Sequence, residues 1–189
     1  MAIKITPLAI AEVLLIEPEV FTDGRGHFVE SYQRKKYEAG GVRAEFIQDN
    51  YSHSTRGVLR GLHYQWRHPQ AKLVTCLGGE IFDVAVDLRR NSPTFGKWVG
   101  AALSGKTKRQ LFIPEGFAHG FYVTSEAAQV HYKCSANYDP EDERGILWSD
   151  PQIAVAWPRG EAILSDKDLR NPPLRDAVVF EELFSGSRL

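Results

Sequence analysis

The chain has 189 residues, enough for one domain with a hydrophobic core. An apolar fraction of 43% and a charged fraction of 25% fit an ordinary globular protein and exclude a disordered one. A formal charge of -1 excludes the global positive field that gathers nucleic acid, so an anionic ligand would need a local basic cluster.

The opening segment, MAIKITPLAIAEVLLIEP, has one lysine and an acidic residue amid its apolar stretch. It lacks the basic start and cleavage site of a signal peptide, and no run reaches membrane-spanning length. The expectation is a soluble, cytoplasmic protein without membrane or nucleic-acid partners. From there strands dominate. Apolar or alternating runs predict them at Val13 to Glu17, His27 to Ser31, Glu45 to Tyr51, Leu59 to Tyr64 and Lys72 to Leu77. More are predicted at Ile81 to Leu88, Trp98 to Leu103, Arg109 to Ile113, His119 to Val123 and Gln129 to Ser135. Breakers such as Asp23-Gly24, Gly78-Gly79 and Ser104-Gly105 separate them. One helix is predicted from about Gln33 to Ala39, stopped by Gly40-Gly41. From residue 140 to 189 the text turns irregular and charged, fitting loops and short helices. The expected fold is all-β, an antiparallel barrel or jelly roll, in one domain over 1–189. Cys76 and Cys134 are expected to be buried free thiols.

Three phrases carry chemistry. In Arg56-Gly-Val-Leu-Arg-Gly-Leu-His-Tyr-Gln65, two Arg-Gly pairs flank a strand bearing His63. Glycine inside a strand often marks a bulge or a close approach. Strict alternation places His63 with Gly61 and Gln65, and Arg60 on the opposite face. Arg60 and His63 therefore share a pocket only if the strand bulges near Gly61, or if Arg60 lies at the mouth. Pro114-Glu-Gly-Phe-Ala-His119 is similar to the second cupin motif, a turn into a strand, but the two-histidine first cupin motif is absent. With only His63 and His119 placed to converge, no metal site is expected. In Gln129-Val-His-Tyr-Lys-Cys-Ser135, alternation groups Tyr132 with Val130 and Cys134, pointing it inward. A packing tyrosine with a bonded hydroxyl fits that pattern equally well. Lys72, a lysine among Leu73, Val74 and Cys76, is more informative than one in a charge run. The Ser165-Asp-Lys-Asp168 cluster alone reads as a solvated loop.

Together with Phe21-Thr-Asp-Gly-Arg-Gly-His-Phe28, Phe46-Ile-Gln-Asp-Asn-Tyr-Ser52 and Tyr138-Asp-Pro-Glu-Asp-Glu-Arg-Gly145, these phrases resemble the dTDP-4-dehydrorhamnose 3,5-epimerase family from about Ile5 to Phe180. The resemblance implies cofactor-free epimerisation of a dTDP-linked 4-keto sugar inside a cupin-like barrel. It implies His63 as general base paired to Asp168, Tyr132 as acid on the opposite sugar face, and Lys72 beside the keto oxygen. It places Arg25, Glu30, Gln48, Asp49, Asn50, Arg60, His119, Glu143 and Lys167 against the nucleotide sugar, with Tyr138 stacked on thymine. It further implies a homodimer with N-terminal strand exchange. The chemistry agrees. Removing a proton beside the ketone gives an enolate that needs a cation, imidazole is a base suited to neutral pH, and inversion needs a donor on the other face. No Gly-x-Gly-x-x-Gly loop is present to hold a dinucleotide. Alternatives are a single-carbon epimerase of a related sugar, a metal-dependent cupin, and a non-catalytic sugar-nucleotide binder.

Overall fold

Alternating apolar and polar residues between glycine-rich breaks build a protein that is almost wholly strand in a computed structural model describing residues 1–181. In chain order the elements are β1 (Ile3–Pro7), β2 (Leu14–Pro18), β3 (Val20–Asp23), β4 (Gly26–Val29), helix α1 (Arg34–Ala39), β5 (Gln48–Thr55) and β6 (Leu59–Gln65). Then come β7 (Lys72–Gly78), β8 (Glu80–Asp87), β9 (Trp98–Ser104), β10 (Gln110–Ile113), β11 (Phe117–Val123), β12 (Ala127–Cys134) and β13 (Glu143–Gly145). A short helix α2 (Asp166–Leu169) and a 3-10 turn at Leu174–Asp176 follow.

The strands form two antiparallel sheets, ordered β1-β2-β10-β7-β12-β5 and β13-β6-β11-β8-β9, in the expected jelly-roll arrangement. Between them lies a core to which β7, β10 and β12 give Val74, Cys76, Leu111, Ile113 and Val130, and β8, β9 and β11 give Ile81, Ala85, Leu103, Phe121 and Val123. The outer face of the first sheet, with Ile16, Leu73 and Phe112, is covered by α1 through Tyr37. The outer face of the second, with Leu62, Val84 and Val86, is covered by Ile153, Leu174, Val179 and Phe180. That second cover explains why β8 reads as a nearly continuous apolar run: both of its faces are buried. Cys76 and Cys134 are buried and free.

The differences from the sequence reading have local causes. The helix starts one residue later than expected because Gln33 is its cap, its side chain accepting the Lys36 N–H at 2.7 Å. The strand expected at Glu45 to Tyr51 runs from Gln48 to Thr55, because pairing with β12 (Cys134↔Gln48 to Ala127↔Thr55) sets its limits. β1, β3 and β13 escaped the sequence reading. β3 is exposed along its whole length, so no burial alternation marks it, and β13 is only three residues long. β13 and the two short helices give structure to the stretch read as irregular, whose residues 182–189 lie outside the described ones.

The bulge near Gly61 exists. Along the β6–β11 ladder His119 faces His63, and two residues further Phe121 faces Arg60, so β6 carries one extra residue. Gly61 has φ +130°, and a Cβ there would lie 2.5 Å from the Gly120 Cα. Glycine on both strands lets the backbones touch where alternation is broken. The bulge turns Arg60 to the same side as His63.

Candidate active site

At one end of the sandwich the sheets leave a cavity of about 530 Å³, within the usual range for a small-molecule site. One wall comes from the six-stranded sheet, with Asn50, Lys72 and Tyr132; the facing wall comes from the other, with Arg60, His63 and His119. The rim is Tyr138, Glu143, Lys167 and Asp168. Residues far apart in sequence thus meet because the two inner sheet faces meet.

His63 is held between two carboxylates. Its Nε2 lies 2.5 Å from Asp168 Oδ1, and its Nδ1 lies 3.9 Å from Glu143 Oε1. Asp168 is fixed in turn by Ser165, the cap of α2, whose hydroxyl donates to Oδ2 at 2.9 Å and accepts the Asp168 N–H. Burial pushes the Asp168 carboxyl up, but the His63 hydrogen bond and charge, with Ser165, outweigh it and hold the group below the ordinary aspartate value. Glu143 behaves alike: burial raises it, while hydrogen bonds from the Lys167 ammonium and the Tyr138 hydroxyl, with His63 nearby, bring it lower.

On the opposite wall two polar groups have no hydrogen-bond partner among the described residues. Lys72 is buried, and among the described residues its ammonium makes no hydrogen bond or ion pair. Burial drives its pKa down, with only partial compensation from Cys134 and Glu143. Tyr132 is raised chiefly by burial, and its hydroxyl likewise bonds no described residue. The Tyr132 hydroxyl opens onto the cavity rather than onto a described protein partner. Two partnerless polar groups aimed at one cavity are arranged for something that enters it.

His119 has its own carboxylate, with Nε2 2.7 Å from Asp83 Oδ1. Sequence reasoning missed Asp83, although a carboxylate between Ile81 and Ala85 on the inward face of an apolar strand was the available signal. It also missed Gln65, which ties down the loop carrying Tyr138 by donating to the His68 and Asn137 carbonyls and accepting the Asp139 N–H. Arg60 lines the cavity with its Nε donating to Ser54 Oγ at 3.0 Å. Asn50 lines it too, bonded to Gln48, which itself sits behind the rim and accepts the Tyr138 N–H at 2.7 Å. Besides Gln48, three expected contact residues are not brought to the cavity of this chain. Arg25 is 91% exposed at the tip of the β3–β4 hairpin and pairs with Asp23. Glu30 pairs with Lys36 at 2.5 Å. Asp49 lies on the outer face of β5, bonded to Lys133 and near His131. No group of three or more His, Cys, Asp or Glu among the described residues is set to hold a metal ion. No helix among them is long and apolar enough to cross a membrane.

Residues 7–176 match the family model described as dTDP-4-dehydrorhamnose 3,5-epimerase. The enzyme of that name from Shigella flexneri is 56% identical over 173 residues, 90% of this chain and 96% of the relative. The crystal structure of a dTDP-6-deoxy-D-glucose-3,5-epimerase from Legionella pneumophila, in complex with dTDP-4-keto-L-rhamnose, aligns with a TM-score of 0.90 at 52% identity. That alignment covers 93% of this chain and 94% of the other. A dTDP-4-dehydrorhamnose 3-epimerase from Streptomyces niveus is more distant, 42% identical over 181 residues, 95% of this chain and 84% of the relative. The chain belongs to the dTDP-4-dehydrorhamnose 3,5-epimerase family.

Proposed function

We propose that this chain inverts carbons 3 and 5 of dTDP-4-dehydro-6-deoxy-D-glucose, giving dTDP-4-dehydro-L-rhamnose for dTDP-L-rhamnose biosynthesis, without metal or organic cofactor. The observation that carries the reading is the pairing of opposite walls: a carboxylate-bound imidazole on one, a partnerless ammonium and phenol on the other.

His63 is the base. With Nε2–H given to Asp168, the lone pair is on Nδ1, and Asp168 favours the imidazolium that forms when Nδ1 takes a carbon-bound proton. Proton loss beside the ketone moves negative charge onto the carbonyl oxygen. The Lys72 ammonium, poorly solvated and unpaired, meets that charge without reorganisation. Tyr132, across the cavity, returns a proton to the other face of the sugar, which inverts the carbon. Arg60 and Lys167 hold the diphosphate, and Lys167 exchanges Glu143 for phosphate as the substrate enters. Tyr138, 52% exposed at the rim, stacks on the thymine, while Asn50, Gln48 and Glu143 position the sugar nucleotide around it.

The chain works as one domain and as a homodimer with exchanged N-terminal strands. Among the described residues the β3–β4 hairpin pairs only with itself, and it exposes the cross-strand partners Phe21 and Phe28, at 45% and 63%. Covered by a second copy, that apolar pair leaves water, and Arg25 with Glu30 and Asp49 reaches substrate across the interface. Free cysteines fit the reducing cytoplasm. The test is proton NMR of the purified enzyme with dTDP-4-keto-6-deoxyglucose in deuterated water. Deuterium at both carbons with both configurations inverted is the expected result. Inversion at one carbon alone would establish a single-carbon epimerase instead.

A further inference from the structure

The reading of His63 as base and Tyr132 as acid, on which this inference rests, leaves each spent after one inversion. His63 then carries the proton taken from carbon, and Tyr132 is a phenolate. A second inversion on the same sugar, working in the same direction, needs one proton moved from the imidazolium to the phenolate. His63 reaches solvent at the cavity mouth, but Tyr132 lies deeper, and burial makes a phenolate there costly to keep.

His119 neighbours His63 in the sheet and Tyr132 across the cavity. It is the direct cross-strand partner of His63 on the inner face of the sheet, and its ring centroid is 6.2 Å from that of Tyr132. Its Nε2 is committed to Asp83, while its Nδ1 bonds no described residue. Asp83 is fully buried and its Oδ2 has no hydrogen-bond partner. A carboxylate so enclosed, with one oxygen unsatisfied, is unfavourable, whereas a carboxylic acid donating to Nε2 fits the geometry. We infer that the His119–Asp83 pair is a proton relay that resets His63 and Tyr132 between the two inversions.

The step balances without any added reactant. The His119 Nδ1–H proton passes to the Tyr132 phenolate, directly or through a sugar hydroxyl, as the Asp83 proton moves onto Nε2. Asp83 is then a carboxylate beside a neutral imidazole whose Nδ1 lone pair is free. That lone pair takes the proton from the His63 imidazolium, and the Nε2 proton returns to Asp83. One proton has moved from His63 to Tyr132, and the pair is as it began.

Asp83→Asn keeps the shape and a hydrogen bond to His119 but cannot pass a proton. In single turnover the first inversion should stay within a few-fold of the unsubstituted enzyme. In steady state the second inversion should fall by on the order of 10²-fold, the scale of a lost positioned proton donor. Singly inverted dTDP-sugar should therefore accumulate and be visible by NMR. His119→Asn also removes a cavity-wall group and so slows both steps, but it should likewise accumulate singly inverted sugar, and it serves if the buried substitution at position 83 prevents folding. If, in a folded variant, both inversions slow equally with no singly inverted sugar, the pair only orients His119 and the relay is wrong. Failure of the underlying reading looks different: His63→Asn would still exchange substrate protons with solvent.

Discussion

Lys72→Met sets activity and stability in opposite directions, and the structure gives the sign of each. The ammonium is 7% exposed, has no acceptor among the described residues, and is held to the cavity wall by its place at the start of β7. Removing it deletes the charge proposed to meet the enolate. The loss should be on the order of 10²- to 10³-fold in kcat, or about 3–4 kcal/mol of barrier, as for other preorganised oxyanion partners. KM should change little, because the charge matters where the oxygen becomes an anion. The fold, by contrast, should gain. Replacing a buried ion pair by apolar side chains of similar volume is commonly neutral or stabilising by about 1–4 kcal/mol, and a lone buried ion costs at least as much. One side of Lys72 faces the cavity, so the low end applies, about 1 kcal/mol or about 2–4 °C in Tm for a chain of this length. The gain must also depend on pH. The folded pKa of Lys72 lies below its ordinary value of 10.5. The unfolded chain therefore binds more protons between those two values, and unsubstituted stability rises with pH across that window. The advantage of the methionine variant is largest below the folded pKa and shrinks as pH rises through it towards the ordinary value. Thermal melts at several pH values, beside steady-state kinetics, test both halves. A variant that is less stable at pH 7, or that retains turnover while KM climbs, would refute the assignment of Lys72 as an unpaired cation reserved for the transition state.

The remaining predictions follow from the same cavity. Tyr132→Phe should still exchange substrate protons for deuterium, with configuration retained, while inverted product falls on the order of 10²-fold or more; equal loss of exchange and inversion in a folded variant would leave Tyr132 a packing residue. Tyr138→Ala should mainly raise KM, since stacking on a base is worth about 1–3 kcal/mol, and a collapse of turnover at constant KM would move the acid role to Tyr138. Asp168 titrates below its unfolded value in the folded chain, so its stabilising effect is complete above about pH 4 and is lost as pH falls through the lower folded value; Asp168→Asn should flatten that part of the acid melting curve. Exhaustive chelation should leave the rate unchanged, and a loss restored by one divalent ion would return a metal-dependent mechanism.

What the chain alone determines is the kind of structure and the kind of chemistry. Short alternating runs separated by glycine pairs can bury their apolar faces only as antiparallel sheets. A tyrosine between Val130 and Cys134 was legible as an inward polar group because period-two alternation needs no tertiary information, and Lys72 stood out by its apolar neighbours Leu73, Val74 and Cys76. Alternation failed at Arg60 and His63. Which way that conflict resolved depended on a bulge whose cause is the contact of Gly61 with Gly120, a residue on another strand. The same limit hid Asp83. Its role exists only because β8 lies beside β11, which sets its carboxyl against His119. Asp168 read as a solvated loop residue by composition, yet it is 3% exposed, because Ser165 caps a turn that folds back onto β6. Conversely, Arg25, Glu30 and Asp49 belong by motif to the site and by position to the surface of this chain. Motif records which residues act together, whereas burial and distance depend on which surfaces the sheets bring into contact.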